Sequence, residues 1–113
     1  IATRARGHGA HVIVCEVDPV RALEATMDGH RVMPLEEAAR LSDFIITATG
    51  DKHVIDQRHL AVMKDGCVIG NSGHFNVEIN IPALQSMASE HQRPRPHVDE
   101  YRFPDGRRIR LLA

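Results

Sequence analysis

The chain has 113 residues, one domain's worth at most, with 42% hydrophobic and 26% charged residues and a formal net charge of −1. That balance excludes a disordered tail and any whole-chain pull toward nucleic acid or anionic lipid. Three Phe, one Tyr and no Trp make no base-stacking platform, and no apolar run approaches the length of a membrane span.

Ile1 to Gly7 reads as the last turns of a helix closing at glycine. The chain opens on Ile and carries no signal-peptide pattern, so a piece of a longer protein is expected. His11-Val12-Ile13-Val14-Cys15-Glu16 is an apolar run ending in an acid, a buried strand. Asp18-Pro19 starts a helix, with Asp as N-cap and Pro at the first helical position. Ala22, Leu23, Ala25, Thr26 and Met27 fit one face of it, and Gly29 stops it. Arg31-Val32-Met33 is a brief strand, and Pro34 to Leu41 a short helix with acids in its first turn.

Asp43 to Gly50 is a third strand breaking at glycine. Asp56 to Lys64 is an amphipathic helix stopped by Asp65-Gly66, and Cys67 to Gly70 is a fourth strand. Pro82 to Ser89 starts another helix, and Arg93-Pro94-Arg95-Pro96 is an extended connector that refuses helix. Tyr101 to Leu112, turning at Pro104-Asp105-Gly106, is a terminal β-hairpin. Cys15 and Cys67 lie in apolar runs and read as buried free thiols, which suits a reducing compartment such as the cytoplasm.

Alternating apolar strands and helices predict an α/β fold: a Rossmann-like doubly wound parallel sheet with helices on both faces. A dinucleotide fold opens with a strand feeding G-x-G-x-x-G into a helix, with an acid about twenty residues on. Here the acid and the end of the helix are present. Residues 1–113 are therefore expected to be a partial domain, truncated before the first strand and glycine-rich loop. Gly7-His8-Gly9 follows a helix and precedes none, so it is not that loop. The missing strand would lie between those at Val12 and Ile45.

Ligands of such sheets sit beyond the carboxyl ends of the strands. Glu16 stands there, suited to accept hydrogen bonds from ribose hydroxyls and to repel a 2′-phosphate; alternatively Glu16 or Asp18 caps the next helix. Arg21, in the first turn of that helix, either reaches the adenine or ribose edge or is a solvated surface residue. Thr49 and Gly50 end the third strand, where small residues let a cofactor lie close. Asn71, Ser72, Gly73 and His74 end the fourth strand, where an imidazole can bond a substrate hydroxyl or relay a proton. The remaining histidines lack metal-ligand spacing and read as surface or structural, so no metal is expected. The arginines near the end are diluted by Asp99, Glu100 and Asp105, which speaks against nucleic acid.

Several strings recur together: Glu16-Val17-Asp18-Pro19, Ile46-Thr47-Ala48-Thr49-Gly50, Met63-Lys64-Asp65-Gly66, Gly73-His74-Phe75, Val77-Glu78-Ile79 and Pro104-Asp105-Gly106-Arg107-Arg108-Ile109. With them the chain resembles, over its whole length, the NAD-binding domain of the S-adenosyl-L-homocysteine hydrolase family. The resemblance implies tightly bound NAD that oxidises the 3′-hydroxyl of the substrate ribose, so that homocysteine leaves, water adds and the ketone is reduced back. The implied substrate is S-adenosyl-L-homocysteine or adenosine, and the implied parent enzyme is a cytoplasmic homo-oligomer, a tetramer.

By position, Glu16 resembles the family's ribose-binding acid. Ser72, Gly73 and His74 resemble the loop contacting nicotinamide and substrate, with His74 in a catalytic role, and Thr49 and Gly50 match the turn beside the cofactor. Arg21 stands where many members have Asn. The substrate domain, with its catalytic lysine and carboxylates, is absent from this chain, so the isolated stretch is expected to bind NAD poorly and to be inactive. Two other readings belong to different classes: a catalytically silent hydrolase-like regulator, and the cofactor domain of a 2-hydroxy-acid dehydrogenase. The Gly73-His74-Phe75 string speaks against the second.

Overall fold

The structure, a computed structural model, describes residues 1–49, 51–72 and 76–112. It divides into two compact units, Ile1–Ala38 and Ala39–Ala113.

The first unit contains α1 (Ala2–Gly7), β1 (Ile13–Val14), α2 (Pro19–Met27) and β2 (Arg31–Val32), and α3 (Leu35–Leu41) begins in it. β1 and β2 pair in parallel, Ile13 with Arg31 and Val14 with Val32. Both helices end in the same way. Past α1, Gly9 takes φ +92° while Gly9 N–H donates to Arg6 O and Ala10 N–H to Ala5 O. Past α2, Gly29 takes φ +87° while Gly29 N–H donates to Thr26 O and His30 N–H to Ala25 O. These paired bonds satisfy the last carbonyls of a helix and need a left-handed residue, which glycine adopts without a Cβ penalty. The closing glycine of α1 is therefore Gly9, where the sequence suggested Gly7.

Two expectations for this unit need correction. The strand predicted over 11–16 pairs only at Ile13–Val14. The apolar face predicted for α2 is not buried: Leu23 is 59% and Met27 78% exposed. A two-strand ladder with two residues per strand offers too little sheet to cover a helix face. Cys15 is likewise only half-buried, whereas Cys67 in the second unit is buried.

The second unit is built on a five-stranded sheet in the order β3-β4-β7-β6-β5. Its strands are β3 (Phe44–Thr47), β4 (Val68–Asn71), β5 (Glu90–Arg95), β6 (Val98–Arg102) and β7 (Arg108–Leu112), with α4 (Gln57–Leu60) and α5 (Ile81–Met87) between them. β3, β4 and β7 run parallel, and β6 and β5 are antiparallel additions. The chain is thus α/β with a mostly parallel mixed sheet, and the predicted hairpin is β6–β7.

Register assigns the faces. Ile45 pairs with Ile69, Ile69 with Leu111, and Ile109 with Tyr101, and all five are buried. On the reverse face Arg110 pairs with Glu100 and Arg102 with Arg108, while the inner face of the antiparallel end also holds the buried Asp99, opposite Leu111. At the parallel end the reverse face carries Phe44 and Ile46, about half exposed. There an open groove of about 480 Å³ is lined by Phe44, Ile46, Gly70, Asn71, Ser72 and Leu112, among others.

The predicted connector at Arg93–Pro96 lies largely within edge strand β5, whose residues are all exposed. The register shifts between Gln92 and Arg95, around Pro94. Proline donates no ladder bond and is tolerated at such an edge. The helix predicted over 56–64 is shorter, because Asp56 caps it and regular turns end at Leu60. The Asp56 side chain caps the N-terminus while His59 Nδ1 accepts Asp56 N–H at 2.9 Å. No helix among the described residues is long and apolar enough to cross a membrane.

Candidate functional site

In the second unit, parallel strands β3 and β4 end at the registered pair Thr47 and Asn71. The buried Thr47 hydroxyl donates to Asn71 Oδ1 at 3.2 Å. The next residue, Ser72, donates twice to Thr47 O, through its backbone N–H at 2.9 Å and its hydroxyl at 3.2 Å. The two strand tips are therefore knit together, and the donors of Ser72 are engaged within the protein.

Thr49 is treated similarly. Its N–H donates to Glu78 Oε1 at 2.6 Å and its hydroxyl to the same oxygen at 2.9 Å. The Thr49 hydroxyl also accepts Asp51 N–H at 2.9 Å. Glu78 is fully buried, on the 3₁₀ turn Asn76–Glu78. The donors of Thr49 thus face the protein. Sequence reasoning gave Glu78 no role. The signal was available: an acid between Val77 and Ile79 enters an apolar setting and must find donors.

In the first unit, Glu16 lies two residues past the end of β1 and is half-buried. Its Oε1 accepts the backbone N–H of Val17 at 3.0 Å and of Asp18 at 3.1 Å. Asp18 is the N-cap of α2, its Oδ1 accepting Val20 N–H at 2.9 Å. The capping role thus falls to Asp18, and two amides orient the Glu16 carboxylate. Arg21 is exposed, its Nε 3.9 Å from Asp18 Oδ2. Gly50, Gly73 and His74 lie outside the described residues. Among the described residues no three of His, Cys, Asp or Glu gather as a metal-binding group.

The family model described as S-adenosyl-L-homocysteine hydrolase, NAD binding domain, matches residues 1–113. The chain belongs to this family. Adenosylhomocysteinase of Aquifex aeolicus is 63% identical over the whole chain, that of Aeropyrum pernix 59% and that of Thermococcus kodakarensis 57%. The chain spans 27% of the length of each of these relatives. NAD is the cofactor of this domain family. The Glu16 carboxylate fits that cofactor in kind: an acceptor-only group, held by its own backbone, at the end of a parallel strand, suits a ribose diol.

Proposed function

We propose that residues 1–113 are the NAD-binding part of a longer adenosylhomocysteinase, which reversibly hydrolyses S-adenosyl-L-homocysteine to adenosine and L-homocysteine. The whole-chain match to the family carries this reading. In it the substrate domain lies elsewhere in the parent protein, which works in the cytoplasm as a homo-oligomer, a tetramer. Bound NAD supplies a transient oxidation of the ribose 3′-hydroxyl, which acidifies the neighbouring proton and lets homocysteine leave.

The residues of this chain bind and orient. Glu16 accepts hydrogen bonds from the adenosine ribose of NAD, each charge-assisted bond contributing about 1.5–3 kcal/mol. Its charge disfavours a 2′-phosphate by about 4 kcal/mol at roughly 4 Å and an effective dielectric near 20. Arg21 offers its guanidinium to the adenine end. Thr49, Gly50, Ser72 and Gly73 provide small surfaces against which the cofactor lies. His74 bonds the reacting hydroxyl of the substrate and holds or relays its proton.

The test uses the full-length protein with adenosine and homocysteine, following the products by chromatography. Interconversion that depends on bound NAD is expected, and His74→Asn should lower kcat by about 10²–10⁴-fold with NAD still bound. A protein that holds NAD but interconverts nothing would overturn the proposal.

A further inference from the structure

We propose that Glu78 is a positioning residue for the cofactor site: its buried carboxylate holds the Thr49 turn in the shape that receives NAD. The inference rests on the NAD-binding reading above. One oxygen, Oε1, takes both Thr49 donors, and the Thr49 hydroxyl takes Asp51 N–H. A single carboxylate thereby organises the backbone on either side of position 50.

Glu78 is itself anchored on the protein side. Its carbonyl accepts Ile55 N–H at 3.0 Å, Val77 O accepts His53 N–H at 2.7 Å, and Ile55 and Ile79 form a parallel bridge. The backbone that carries the carboxylate is thus tied to residues 53–55. Through this side chain Thr49 is tied to the 3₁₀ turn Asn76–Glu78. Fully burying a carboxylate is costly, and a neutral acceptor would join two loops at lower cost. The Glu78 carboxyl takes two donors on one oxygen. It also turns the Thr49 N–H and O–H inward, so neither competes for the ligand.

The experiment compares full-length wild type, Glu78→Gln, Thr49→Val and the double variant. NAD affinity is measured by titration of the NAD-free protein, kcat at saturating NAD, and the melting temperature without NAD. Each single variant should weaken NAD binding by about tenfold. The double variant should lose less than the product of the two single losses, because both weaken the same Thr49–Glu78 contact. The loss should fall on NAD affinity far more than on kcat, with a fall in the NAD-free melting temperature of about a few degrees at most.

Unchanged NAD affinity in the single variants, losses that multiply in the double, or a fall in melting temperature with affinity intact would overturn the inference. If Glu78→Gln does not fold, Thr49→Val alone decides through the same split between affinity and kcat. Wild type that binds no NAD overturns the cofactor reading and this inference with it. Wild type that binds NAD beside unaltered variants overturns this inference alone.

Discussion

The Thr47 hydroxyl donates to Asn71 Oδ1 across the last registered pair of β3 and β4, at 3.2 Å. With the two Ser72 donors on Thr47 O, this bond levels the two strand tips that the cofactor reading uses. Thr47→Val keeps the volume and removes the donor. It should cost about 1 kcal/mol, seen as a lower urea midpoint at unchanged slope. An unchanged midpoint would mean the pair contributes nothing.

Arg107 is a clamp beside the turn of the β6–β7 hairpin. Its Nη1 donates to Met63 O at 2.7 Å and Leu60 O at 3.1 Å, and its Nε to Asp105 Oδ2 at 2.7 Å. Its guanidinium lies 4.8 Å from the Phe103 ring centroid. A lysine keeps the charge but loses the planar fork and the stacking. Arg107→Lys should lower stability by about 2 kcal/mol in chemical denaturation, and a loss no larger than that of a surface lysine swap would contradict the clamp.

Stability should fall at acid pH, with a defined sign. Hydrogen bonds from His91 and then Arg93 hold the Asp99 carboxyl below its usual range. Asn80 and the Gln57 amide do the same for Asp56. A carboxylate with a lowered folded pKa stabilises above its unfolded value, near 3.9, and loses that contribution as pH falls through the folded value. Asp99→Asn should therefore be less stable than wild type at pH 7, and the two should converge as pH falls through the lowered folded value. Denaturation curves from pH 2.5 to 7 check this; a difference that persists at the acid end would contradict it.

Burial pushes the Cys67 thiol up to about 11, with the Asp43 charge adding to the effect. At pH 8 its thiolate fraction is then on the order of one in a thousand. Cys67 should resist iodoacetamide in the native protein and react after unfolding in urea, as read by mass spectrometry. Rapid native alkylation would show that the β4 end opens readily.

What the sequence disclosed followed from local chemistry. Asp18-Pro19 announced the start of α2, and Pro104-Asp105-Gly106 the turn of β6–β7, because caps and turns are written in neighbouring residues. The extent of pairing was not written there. β1 shrinks to two residues, and β5 forms on Pro94-containing sequence because β6 offers it a partner. At the candidate site, Glu16 and Thr49 are proposed from their position past apolar strands. Glu78 was not legible in this way, because its importance comes from Thr49, 29 residues away. Only the fold brings that pair together.

The central claim is that the Glu16 carboxylate, held by the amides of Val17 and Asp18, receives the ribose diol of NAD. The most direct measurement is calorimetric titration of the NAD-free full-length protein, wild type and Glu16→Gln, with NAD and with NADP. Wild type should bind NAD at least about a hundredfold more tightly than NADP, and Glu16→Gln should narrow that gap by weakening NAD and admitting NADP. Equal affinities for the two cofactors in wild type, or a gap untouched by the substitution, would contradict the claim.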